Sequence, residues 1–177
     1  MKGTILVCLR DMLVHDVGIG PDQWRDMLEV SGFDRNMVLL PSTDVSDELA
    51  LRVFGEAQNT YFPSHIAMAD AFGHYWSVIY APSIYASVYQ RISNARDFIL
   101  NMDRVHIQVT QSIPNAKPPR FTYTPVGADK LLVDYKSHRG LVHLFAGLCR
   151  GIGHYYGENL KVDVLSEQQI SIQFMPA

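Results

Sequence analysis

Cysteine is nearly absent from this sequence: Cys8 and Cys149 are the only two in 177 residues. They lie far apart, each in an apolar helical pattern, so buried free thiols are expected rather than a disulfide framework. No CxxC, HxxxH or HExxH spacing occurs, which leaves a zinc site without support. Runs of Lys or Arg are missing too, and the formal net charge is −3, so nucleic acid and anionic membrane are poor candidates as main partners. Long hydrophobic runs are also lacking. The opening "MKGTILVCLRDML" is broken by Arg10 and Asp11, unlike a signal peptide, and reads as a first helix. "SVIYAPSIYASVY" is too short and too polar to span a bilayer, and Pro82 interrupts it. A soluble, cytoplasmic protein is the expectation. With 47% hydrophobic and only 19% charged residues, the chain has the material for one domain with a sizeable core.

The first half reads as helices. Ile5, Cys8, Leu9, Met12 and Leu13 recur at helical spacing, and "GPDQWRDMLEVSG" starts a second helix near Pro21 and stops it at Gly32. Ser42 or Thr43 is the expected cap of a third helix over about 45 to 58, and a fourth covers about 63 to 79. After a connection at Tyr80 to Ser83, broken by Pro82, one long helix is expected from about 84 to 113. The prolines of "PNAKPPR" end it, and "RFTYTPVGADKLLVDYKSHR" reads as two strands joined by "VGAD". "GLVHLFAGLCRGIGHYYG" is a helix with Leu141, Leu144, Phe145 and Leu148 on one face, and "LKVDVLSE" and "QQISIQF" are two more strands. The expected class is α+β: a helical N-terminal lobe, about 1–62, and a lobe over about 63–177 with a long helix and a small antiparallel sheet of about four strands.

Two features carry chemistry. In the long helix, His106 falls inside the apolar stripe of Met102, Val105, Val109 and Ile113. Such a histidine is either a core residue satisfied by one hydrogen bond or the single axial ligand of a metal in an apolar cofactor. The second is "DYKSHRG". If Leu131 to Arg139 is a strand, then Leu131, Val133, Tyr135, Ser137 and Arg139 share a face, and three hydrogen-bond donors in line suit an anion such as a carboxylate. Packing of Tyr135, solvation of Ser137 and pairing of Arg139 with an acid would explain the same row.

The blocks "MDRVHIQV", "PNAKPPRF" and "YKSHRG", in that order, resemble the heme nitric oxide/oxygen binding (H-NOX) family of bacterial gas sensors and soluble guanylate cyclase. "YKSHRG" matches its Tyr-x-Ser-x-Arg motif, while "MKGTI" and "FGHYW" match more weakly. The resemblance covers nearly the whole chain, residues 1–177. It implies heme b as cofactor, with His106 as the proximal ligand to iron and Tyr135, Ser137 and Arg139 as the clamp on the propionates. It further implies that Pro119 presses on the porphyrin, that Asp47 pairs with Arg139, and that Ile5, Leu9 and Trp76 line the distal face.

Oxygen-binding members of the family use a distal tyrosine, and five residues beyond Arg139 this chain has Leu144 instead. Bound dioxygen needs a hydrogen-bond donor and nitric oxide does not, so NO and CO are the expected ligands. The alternative is an oxygen sensor with Tyr80 as donor. The resemblance implies that NO releases His106, that its helix shifts, and that Arg139 and Asp47 pass the movement on. The effector would be separate: a histidine kinase, a diguanylate cyclase or phosphodiesterase, or a chemotaxis receptor. Two other classes remain open: a heme enzyme, for which Ile5, Leu9 and Leu144 offer no distal acid or base, and a non-heme carboxylate-binding module.

Overall fold

Two compact units make up the chain, Met1–Met68 and Ala69–Ala177. The computed structural model describes residues 1–111 and 116–175, without the side chain of Val109. Ile113, Pro114 and the expected end of the long helix therefore lie outside the described residues, and Val109 outside the described side chains.

In the first unit, α1 (Thr4–Met12) continues into a π-helical turn, Leu13–Val17, that ends on Gly18 in the left-handed region. Helix α2 (Pro21–Val30) has proline in its first turn, where no amide is needed, and Gly20 N–H donates to the Gln23 side chain at 2.7 Å. The third helix departs from expectation: α3 runs Asp47–Tyr61 after Ser46. Thr43 is spent elsewhere, its hydroxyl accepting from Leu40 N–H at 3.1 Å and its carbonyl from Gly3 N–H at 2.8 Å, so it closes a turn against the chain start. Buried residues of this unit come from all three helices, among them Leu6, Leu9, Met12, Trp24, Leu28, Val53 and Phe54. Cys8 is a buried free thiol, as is Cys149 in the second unit, and burial pushes both well above the ordinary thiol range.

Helix α4 (His65–His74) passes into a second π-helical turn, Tyr75–Tyr80. The expected continuous helix over 84–113 is three pieces: α5 (Ala81–Ile84), α6 (Ala86–Arg91) and α7 (Ala95–Thr110). Pro82 does not break α5, because it sits in the first turn where proline is tolerated. The break before α7 is made by Asn94, whose side-chain oxygen accepts from Asp97 N–H at 2.7 Å and fixes a helix start within what reads as continuous periodicity.

Strands β1 (Arg120–Val126), β2 (Lys130–Lys136), β3 (Leu160–Ser166) and β4 (Gln169–Phe174) form an antiparallel sheet in the order β1-β2-β4-β3. Leu131, Val133 and Tyr135 are buried, with Leu131 paired to Ile172 and Val133 to Ile170, and Tyr135 N–H donates to the Gln168 carbonyl at 2.7 Å. Helix α8 (Val142–Tyr156) packs on β3 and on the π turn after α4. Its buried positions are Val142, Phe145, Ala146, Cys149 and Ile152, while Leu141, Leu144 and Leu148 are only half-buried, which corrects the expected face. The reason is that α8 buries a second side made of glycines. A Cβ on Gly147 would lie 2.1 Å from the Ala69 carbonyl oxygen, and one on Gly151 2.2 Å from that of Gly73. Gly147→Ala should therefore cost about 1–3 kcal/mol of stability by overpacking, read as a fall of roughly 2–12 °C in Tm by calorimetry.

Candidate functional site

His106 lies in the last two turns of α7, and its Nδ1–H donates to the Met102 carbonyl at 2.9 Å. That bond leaves the lone pair on Nε2, which has no hydrogen-bond partner among the described residues. Burial, the largest influence, pushes the imidazole below its ordinary pKa, so the ring is neutral at pH 7. Both properties are what a metal-ligating imidazole requires.

An aromatic wall starts at this ring. His106 and Phe121 have centroids 5.4 Å apart, Phe121 and Phe145 4.7 Å, and Phe145 stacks on Tyr135 at 5.4 Å with planes within 16°. Phe121, Phe145 and Tyr135 are buried, so the side of the second unit next to His106 is apolar and rigidly packed.

The Tyr-Ser-Arg row is gathered differently from the expected strand. Strand β2 stops at Lys136, and Ser137 and Arg139 belong to the turn that Gly140, at φ 63°, leads out of. The Ser137 hydroxyl accepts from Arg139 N–H at 3.3 Å, which curls the chain where the pleat would have continued. The three still meet. The Tyr135 phenol is raised in pKa chiefly by burial, with hydrogen bonds to Ser137 and the Leu141 backbone and the Arg139 charge opposing that rise. Arg139 Nη1 donates to the Lys117 carbonyl at 2.7 Å, so its guanidinium also holds the extended segment that carries half-buried Pro119 into β1.

Two residues here escaped attention in the sequence although the blocks containing them stood out. Asp103, three residues before His106, takes a two-pronged grip from Arg120: Nε to Oδ1 and Nη2 to Oδ2, both at 2.8 Å. Phe121 N–H adds a third bond to Oδ1 at 2.9 Å, so the latch ties the helix of His106 to the first residues of β1. The Arg120 hydrogen bonds hold the Asp103 carboxyl down at about 2. Because the folded value lies below the ordinary one, the latch contributes stability above about pH 4 that is lost as pH falls toward 2. Asp103→Asn should speed amide hydrogen exchange across residues 101–110 about tenfold or more; unchanged exchange there would mean that α7 is held by packing alone.

The remaining expected residues are spread. Trp76 and Tyr80 lie on the π turn after α4, with Trp76 between Phe72 (6.0 Å) and Tyr80 (5.4 Å). Tyr80 is half-buried, and its carbonyl accepts from the Ser83 hydroxyl. Leu144 projects from the first turn of α8. Ile5 and Leu9 lie on α1 of the first unit, Ile5 half-buried and Leu9 fully. Asp47 opens α3, where its carboxylate accepts from the Met1 amine at 2.6 Å. No cluster of three metal-ligating side chains occurs among the described residues, so a metal here would have to arrive with most of its own ligands. Nor is any described helix long and apolar enough to cross a membrane.

The sequence profile of the Haem-NO-binding family matches residues 2–164. Three solved structures illustrate the likeness. A Cs H-NOX variant carrying 4-cyano-L-phenylalanine is 23% identical with a TM-score of 0.84, the alignment covering 99% of this chain and 97% of that one. An oxygen-binding H-NOX domain related to soluble guanylate cyclases, solved as its oxygen complex, is 24% identical with a TM-score of 0.80 over 99% and 96%. An H-NOX protein from S. oneidensis in the Fe(II) ligation state is 17% identical with a TM-score of 0.86 over 99% and 97%. At these identities the likeness is one of fold. Among curated protein sequences none matches significantly.

Proposed function

The chain belongs to the Haem-NO-binding (H-NOX) family of heme-based gas-sensor domains, and from that premise we propose that it binds heme b through His106 and senses NO, with CO as a second ligand. The observation that carries the reading is the neutral imidazole of His106, its Nδ1 committed to Met102 and its Nε2 lone pair available beside an apolar aromatic wall. Held there by His106, heme would supply an iron able to bind a diatomic gas.

The chain's own residues do the rest. Tyr135, Ser137 and Arg139 supply hydroxyl and guanidinium donors for two propionates, and Arg139, by also holding the Lys117 carbonyl, keeps Pro119 in place. Ile5, Leu9 and Leu144 are hydrocarbon and offer no hydrogen bond to a gas carrying negative charge, and the one donor of Trp76 is its indole N–H. NO needs none, and O2 does, which favours NO. Release of His106 would leave α7 tied to β1 by the Asp103–Arg120 latch and by the Asp103 N–H bond to the Tyr123 hydroxyl, and Arg139 and Asp47 are the residues through which the change would be read by a separate effector, a histidine kinase, cyclase, phosphodiesterase or chemotaxis receptor. The effector must bind the two states with different affinity. This function is non-enzymatic.

Heme reconstitution tests the reading. The purified chain should take up one heme and show a ferrous Soret band of histidine-ligated type; a colourless protein that cannot be reconstituted would leave only the carboxylate-binding alternative.

A further inference from the structure

Away from the proposed heme site, His74 and His154 face one another with their Nδ1 atoms 3.1 Å apart. They come from the last residue of α4 and the last turn of α8, and both are exposed. Two backbone contacts and one side-chain ion pair fix this meeting. Gly73, directly before His74, leaves no room for a Cβ because the Gly147 backbone lies 2.2 Å from where it would stand. Gly151, one turn before His154, is equally close to the Gly73 carbonyl, so the two helices touch backbone to backbone. One turn further along, Arg150 Nε donates to Asp70 at 2.7 Å, which neutralises the nearest charges across the same seam. The imidazole pair is therefore held by the rigid part of the fold, although its own rings are free to turn in solvent.

From this geometry we propose that His74 and His154 form a two-imidazole site for a late first-row divalent ion, Zn(II), Ni(II) or Cu(II), which would pin α4 to α8. With metal–nitrogen bonds of about 2.0–2.1 Å, two imidazoles on one ion stand about 2.9 Å apart at a right angle and about 3.3 Å apart at the tetrahedral angle. The observed 3.1 Å lies between the two. The ring centroids, now 5.3 Å apart, need to close by about half an ångström for both lone pairs to meet one ion at such bond lengths. At present one ring must donate its Nδ1 proton to the other. Metal binding moves that proton to Nε2 of the same ring, so none is left between the ligands. Water completes the coordination, and nitrogen ligation of this kind selects the copper end of the series over Mg or Ca.

The test is titration of Zn(II) into the tag-free full chain by calorimetry, with Cu(II) followed by electron paramagnetic resonance. Expected is one site per chain whose affinity falls about tenfold or more in His74→Gln and in His154→Gln, and no further in the double variant. The copper spectrum should show two nitrogen donors that become one in each single variant. Both side chains are exposed, so the metal-free variants should keep the wild-type Tm within about 2 °C, while metal raises the Tm of the wild type alone. Binding that the double variant retains in full, through His15, His65, His106, His138 or His143, would overturn the proposal, and so would a copper spectrum unchanged by either substitution.

Discussion

His106→Ala is expected to abolish stable heme retention. Loss of a residue that merely orients a metal ligand costs about 10–100-fold in affinity, and loss of the ligand itself should exceed that. The test is pigment content after purification and the ferrous Soret position of any heme that remains. Free imidazole added to His106→Gly should restore the histidine-type band, since the apolar wall of Phe121, Phe145 and Tyr135 is untouched by the substitution. An Ala variant with the wild-type spectrum would assign the ligand to another residue and return His106 to the status of a buried core histidine. The substitution also removes a group that makes the fold sensitive to acid. Burial lowers the pKa of His106 in the folded state, so the unfolded chain takes up the proton first; the stability this neutral ring contributes is present above about pH 6.5 and is lost as pH falls below it.

Exposure of the ferrous, heme-loaded protein to air should give no persistent oxygenated spectrum, while NO and CO each shift the Soret band at once. The physical ground is the residue set: Leu144 on α8 cannot donate a hydrogen bond, and dioxygen bound to ferrous iron draws negative charge that a donor must stabilise. Leu144→Tyr should place a phenol on the same helix and lengthen the lifetime of the oxygenated form by about tenfold or more, the worth of a hydrogen bond to a charged acceptor. The discriminating control is Tyr80→Phe. If the wild type holds oxygen stably and Tyr80→Phe loses it, then the phenol at the end of the π turn, tilted against Trp76, is the donor and the protein is an oxygen sensor.

Much of the fold was legible because local chemistry agreed with the final packing. The turn "VGAD" between β1 and β2, the glycine stops at Gly32 and Gly157, and the alternation of Leu131, Val133 and Tyr135 are all decided within a few residues, and the strands followed them. His106 stood out as a candidate for a related reason: a histidine in an apolar helical stripe conflicts with its surroundings, and such a conflict is where a functional site is to be sought. Where the reading failed, a competing local interaction had the same sequence cost as the expected one. Asn94 capping α7 cut a helix that periodicity ran straight through, and the Ser137 hydroxyl turned a chain that alternation continued as strand.

The candidate ligand-bearing residues and the order of helices and strands follow from residue type, spacing and family motif, which are properties of the linear chain. Nothing in the chain's order, however, pairs Asp103 with Arg120, lays Phe121 against His106, or brings His74 to His154. Those contacts join positions from 15 to 80 residues apart, and they exist only because the sheet fixes β1 beside α7 and because glycines on α4 and α8 let two backbones touch. Long-range pairings of this kind depend on where whole elements settle when their apolar faces are buried, and that is decided by the packing of the folded chain.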